Sequence, residues 1–157
     1  MNRNIRTGIN FGIISGVLTV SGIIVGLVSA GAAKEVLAAA VLIIAFADAF
    51  SDSLGMYLSV NRADEDKNLW QSLALAFFAK LIIASSYLIP VLLVGSATAM
   101  WLSIVWSAIL LGVFGYYLGT SDKKNTFGLI AKYLVILAAV SVIAYYIGNI
   151  FNGFNLR

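Results

Sequence analysis

Two aspartates and a methionine, Asp48, Asp52 and Met56, recur at every fourth position. In a helix they stack on one face, a turn apart. Ser51 and Tyr57 flank that face, and Lys80 lies in the next apolar stretch. Two ionised carboxylates a turn apart repel unless one takes a proton, a cation binds between them, or an opposite charge neutralises them. Carboxylate, hydroxyl and carbonyl oxygens suit hard or borderline divalent cations: Mg, Ca, Mn and Fe(II). A thioether from Met56 would tilt the preference weakly toward Fe(II) or Mn. One chain supplies too few ligands for six-coordination, and a two-fold dimer would double the set. Asp48, Asp52 and Met56 are therefore the candidate metal ligands.

The surroundings of these residues set their meaning. The chain has 157 residues, 61% hydrophobic and 11% charged, with mean hydropathy +0.98. Soluble domains carry about 25% charged residues, so this is the composition of an integral membrane protein. It excludes a nucleic-acid binder, a disordered chain and a disulfide scaffold. With no Cys and no His, thiolate and imidazole chemistry is excluded, and with it Cys/His zinc sites, haem ligation and the Ser-His-Asp triad.

A membrane helix needs about 20 mostly apolar residues. Five stretches qualify, roughly 8–30, 36–60, 69–94, 97–119 and 127–150. They do not alternate apolar and polar residues as barrel strands do. The expected fold is all-α, a single domain over residues 1–157 built as a five-helix membrane bundle. Arg3 and Arg6 before an apolar run ending in Ala30-Gly31-Ala32 imitate a secretion signal, but the run is too long for one. The loop cations Arg3, Arg6, Arg62, Lys67, Lys123 and Lys124 fall on one side, against Lys34 and Arg157 on the other. The positive-inside rule then predicts a cytoplasmic N-terminus and an outer C-terminus.

Asp48, Asp52 and Lys80 thus fall inside spans, where each charge costs about 2.5–3.5 kcal/mol and marks function by default. Helical rise places Asp52 about 12 Å, Lys80 about 15 Å and Asp48 about 18 Å from the cytoplasmic end. Lys80 is level with the pair and is the expected counter-charge. Lys132 lies near that end and snorkels to it. The acidic turn Asp64-Glu65-Asp66 reads as a solvated loop.

The first span carries two rows of small residues, Gly8/Gly12/Gly16 and Gly22/Gly26/Ala30. Such rows let helix backbones approach closely in lipid. The rows face different directions, so the helix offers close contacts to two neighbours. The expectation is that Gly8, Gly12, Gly16, Gly22 and Gly26 pack a homodimer.

In this order across five spans, the motifs resemble the vacuolar iron transporter family, also called nodulin-21-like. The family's first-span Asp-Gly-Leu-Thr aligns with Gly16-Val17-Leu18-Thr19. Its second-span Ser-Met-Gly-x-Gly-x-Tyr-x-Ser aligns with Ser51-Asp52-Ser53-Leu54-Gly55-Met56-Tyr57-Leu58-Ser59. Tyr87-Leu88-Ile89-Pro90 and Tyr145-Tyr146-Ile147-Gly148 also look like the family. The resemblance implies a dimeric Fe(II) or Mn(II) exporter driven by proton exchange. Its pathway would pass Ser15, Gly16, Thr19, Ser51, Tyr57 and Lys80. The family's pathway Asp stands here as Gly16 and its pathway Met as Asp52. The cytoplasmic metal-binding domain that the family often carries between the second and third spans is reduced here to residues 61–68.

The sequence reading is therefore a divalent metal/proton antiporter without a resident cofactor, in a prokaryotic plasma membrane. Its partners would be lipid, metal ions, protons and a second copy. The alternative is a non-transporting membrane subunit that uses its small-residue rows to bind other helices. An enzyme is not expected. Phospholipid head-group transferases share Asp-x-x-x-Asp but need an upstream Asp-Gly and Ala-Arg, both missing here.

Overall fold

The computed structural model describes residues 3–59, 69–121 and 125–153. The cations Arg62, Lys67, Lys123, Lys124 and Arg157 and the turn Asp64-Glu65-Asp66 lie outside the described residues. Those residues form helices α1 (Arg3–Ser29), α2 (Lys34–Ser59), α3 (Leu69–Ser86), α4 (Leu88–Leu93), α5 (Ser96–Ser121) and α6 (Thr126–Gly153). Five spans are long and apolar enough to cross a membrane: Arg6–Ser29, Lys34–Leu58, Trp70–Leu93, Ser96–Ser121 and Thr126–Gly153. The protein is an all-α integral membrane bundle, with spans close to those expected.

Helix α1 stands in the middle, packed against α2, α3, α5 and α6. It ends where Gly31 takes a left-handed φ of 82°. The Gly31 amide donates to the Val28 carbonyl and the Ala32 amide to the Leu27 carbonyl. This double bond closes the helix end and reverses the chain into α2. Helix α6 is capped at its start by Asn125, whose Oδ1 accepts from the Gly128 amide at 3.1 Å.

The third span is broken rather than continuous. Pro90 has no amide hydrogen, and its ring crowds the carbonyl four residues earlier, that of Ser86. The chain therefore departs from α-helix at Tyr87. The Tyr87 amide donates to Ala84 instead of Ile83. The Ser86 hydroxyl takes over the Ile83 carbonyl at 2.6 Å. Tyr87 is fully buried, and its hydroxyl lies 2.6 Å from the Ser107 hydroxyl on α5.

Both glycine rows of α1 are filled within the chain. A Cβ at Gly8 would lie 2.5 Å from the Ser72 carbonyl oxygen, and one at Gly12 equally close to that of Ala76. At Gly16 it would meet Lys80 Cγ at 3.3 Å. The first row therefore docks in parallel on Ser72, Ala76 and Lys80 of α3. On the second row, a Cβ at Gly22 would meet Val140 at 3.0 Å and one at Gly26 the Ala144 carbonyl at 3.5 Å. A Cβ at Gly148 would lie 2.2 Å from the Gly26 carbonyl oxygen. The two neighbours of α1 are thus α3 and α6 of the same chain. The assignment of Gly8, Gly12, Gly16, Gly22 and Gly26 to dimer packing is corrected accordingly.

Candidate functional site

The site is built where α1, α2 and α3 meet. The glycine row brings α1 and α3 close enough for Ser15 to reach Lys80. Two ring pairs hold α2 on α3: Phe50 with Phe77, centroids 4.7 Å apart, and Tyr57 with Trp70 at 5.5 Å. The Ser53 hydroxyl adds a bond to the Leu73 carbonyl at 3.4 Å. These contacts set the register that puts Lys80 beside the aspartates.

The Lys80 ammonium is 2.5 Å from Asp48 Oδ2. It also pairs with Asp52 Oδ2 and donates to Ser15 Oγ at 2.8 Å. Ser15 Oγ in turn donates to Asp52 Oδ2 at 2.7 Å. Lys80 is 1% exposed, whereas Asp48 and Asp52 keep 30% and 22% of their side-chain surface open. The amine is sealed, and the aspartates keep part of their side chains open although Asp48 Oδ2 itself is buried. Gly16 makes the sealing possible, because its missing side chain leaves room for the Lys80 stem.

Of the expected site residues, the structure gathers Asp48, Asp52, Lys80, Ser15 and Gly16. Met56 is half-buried one turn beyond Asp52. Thr19, a turn along α1 from Ser15, is half-buried. Ser51 is exposed, and Tyr57 turns its ring onto Trp70. These two flank the site and do not enter it, because their helical angles carry them to either side of the aspartate face. Lys132 is exposed on α6.

Among the described residues, no three acidic side chains converge into a group that would hold a metal. One chain offers a pair of carboxylates, already bridged by an ammonium. What this arrangement does chemically is hold positive charge. With all three groups ionised, two negative charges face one positive charge, and a proton or a cation balances the difference. The role of Gly16 as a notch for Lys80 was missed in the sequence. The signal was present: Ser72, Ala76 and Lys80 repeat every fourth residue, matching Gly8, Gly12 and Gly16. No family model matches the chain, and no curated protein matches it.

Proposed function

We propose that this membrane protein is a divalent-cation transporter that exchanges its cargo for protons and works as a dimer. The observation behind the reading is the Asp48–Lys80–Asp52 cluster, buried among three spans and short of one positive charge. Intramembrane carboxylates mark ion pathways by default, and a carboxylate that gives up a proton to accept a metal ion is the minimal coupling device. A divalent ion carries more charge than an ammonium and competes with it for the same oxygens. Lys80 then holds the site between cargo ions. The family resemblance points the same way, toward Fe(II) or Mn(II).

The dimer is supported by the open carboxylates. Charged oxygens at this depth do not face lipid. Ala47, Ser51 and Gly55 are exposed along α2 beside Asp48 and Asp52, and a Cβ at Gly55 would have nothing within 4 Å. A second α2 fits against this stripe and adds its own carboxylates, completing the ligand set that one chain lacks.

A second reading has one observation in its favour. Lys80 already hydrogen-bonds Ser15 and Asp52 and pairs with Asp48, which suits an ion pair that only fixes the register of α1, α2 and α3. Flux separates the two. Purified protein in liposomes containing a pH dye should move Fe(II) or Mn(II) against protons, in a scan that includes Co, Zn, Mg and Ca. Asp52→Asn keeps a hydrogen-bonding group but loses the charge, and should abolish that flux while the protein stays folded. Undiminished flux in folded Asp52→Asn would remove the carboxylate from the mechanism. No flux of any ion by the parent protein would favour the second reading.

A further inference from the structure

A second set of buried polar groups stands on α1, α5 and α6, away from the charged cluster. Val17, Leu111 and Leu137 form one buried apolar contact among these three helices. One turn from each, toward the end of the bundle that carries the α1–α2 turn, stands a serine: Ser21, Ser107 and Ser141. The contact of Gly22 with Val140 confirms that Ser21 and Ser141 share a level. Ser107 Oγ donates to the Ser103 carbonyl at 2.7 Å and accepts from the Tyr87 hydroxyl at 2.6 Å.

The other hydroxyls are orphans. The oxygens of Ser21, Ser103 and Ser141 are buried and have no hydrogen-bond partner among the described residues, and Ser21 and Ser103 are 0% exposed. Serines inside helices ordinarily bond back to the carbonyl four residues earlier, as Ser107 does. These three do not. A buried hydroxyl left unpaired is destabilising, and such groups in native proteins are met by ordered water. A buried water needs two to four polar partners. Serines one turn beyond a shared apolar contact on three helices, with the Tyr87 hydroxyl on Ser107, supply such a set.

We infer that Ser21, Ser107 and Ser141, with Ser103 a turn further on, form an internal hydration site that binds water in the interior of the bundle. Ser21 is about 9 Å along α1 from Ser15, beyond Thr19 on the way to the α1–α2 turn. A role in passing protons to that cluster rests on the antiport reading. The presence of water does not, and it is tested without flux.

The chain has no cysteine, so a single introduced thiol gives the only S–H stretch in its infrared spectrum. Ser21→Cys and Ser141→Cys are compared with Leu111→Cys, one turn away in the apolar contact. The full-length protein in liposomes is transferred to D2O. At a hydrated site the S–H band is lowered in frequency and converts to S–D within minutes, while Leu111→Cys keeps its band many times longer. Exchange at Ser21→Cys and Ser141→Cys as slow as at Leu111→Cys would overturn the proposal. Should the cysteine variants fail to fold, Ser21→Ala decides. Removing a dry, unpaired hydroxyl raises Tm, which refutes the site, whereas removing a partner of bound water lowers it.

Discussion

Lys80 lies in the notch that Gly16 leaves on α1: a Cβ at position 16 would stand 3.3 Å from Lys80 Cγ. The ammonium at the end of that stem is fixed by Asp48, Asp52 and Ser15, so the stem cannot swing aside without breaking ion pairs. Gly16→Ala should therefore disturb the cluster through packing alone. The overpacking cost is about 1 kcal/mol, at the low end, since the stem needs to give by only tenths of an ångström, and the helix preference of alanine over glycine offsets most of it. Gly16→Leu should exceed it severalfold and expel Lys80 from the site. Denaturation of the purified variants in detergent measures both. A Gly16→Leu protein as stable as the parent would show that the notch is not needed.

Lys80→Met keeps the length of the stem and removes the charge. Two carboxylates a turn apart then face each other without a counter-ion. Breaking a buried pair by removing one partner costs about 3–5 kcal/mol, and the lower end applies here because both aspartates are partly exposed. Millimolar Mn(II) should restore part of the lost stability by supplying the missing positive charge. The parent should respond less. Identical Tm values for parent and variant would mean that Lys80 contributes no energy to the cluster.

Glycines of α1, α5 and α6 rank by what a methyl group would strike. Gly148→Ala meets the Gly26 carbonyl at 2.2 Å and Gly12→Ala the Ala76 carbonyl at 2.5 Å. Both obstacles are backbone, so a whole helix must move. Each substitution should cost about 1–3 kcal/mol, with Gly148→Ala the worse. Gly112→Ala meets nothing within 4 Å and should be neutral or slightly stabilising, since alanine favours a helix over glycine by about 1 kcal/mol. Thermal unfolding of the three variants checks the order. Equal Tm values would show that the α1–α3 and α1–α6 seams are looser than described.

Span number, span ends and the Lys80–aspartate pairing were legible because each rests on local quantities: length, hydropathy and rise per residue. Depth arithmetic alone put Lys80 level with Asp48 and Asp52. The break at Tyr87 was foreshadowed by Pro90, but the hydroxyl of Ser86 taking over the Ile83 carbonyl depends on side-chain geometry that spacing does not encode. The destination of the glycine rows was not legible either. A row of small residues announces close approach and is silent on the partner, and α3 and α6 of the same chain compete for it with a second copy. Counting the matching row Ser72, Ala76 and Lys80 would have tipped that choice toward α3.

With α1 occupied on both sides, a dimer must use another surface, and α2 offers Ala47, Ser51 and Gly55 beside the open carboxylates. If two α2 helices meet there, cysteines at Ser51 or Gly55 approach their counterparts across the two-fold axis. A disulfide forms when the Cα atoms lie about 4.4–6.8 Å apart, a distance that small-residue stripes allow. Ser51→Cys or Gly55→Cys should therefore cross-link into a dimer under mild oxidation in the membrane, free of background because the chain has no cysteine. Cysteine at Val113, exposed on α5, should not. Gly55→Leu should shift detergent-solubilised protein from dimer to monomer by light scattering, with little change in protomer stability, because no described residue lies within 4 Å of a Cβ at that position. Gly12→Leu should instead unfold the protomer. A parent protein that is monomeric at high concentration, or cross-linking at Val113→Cys but not on α2, would rule out the α2 interface and leave the carboxylates to be covered by water within one chain.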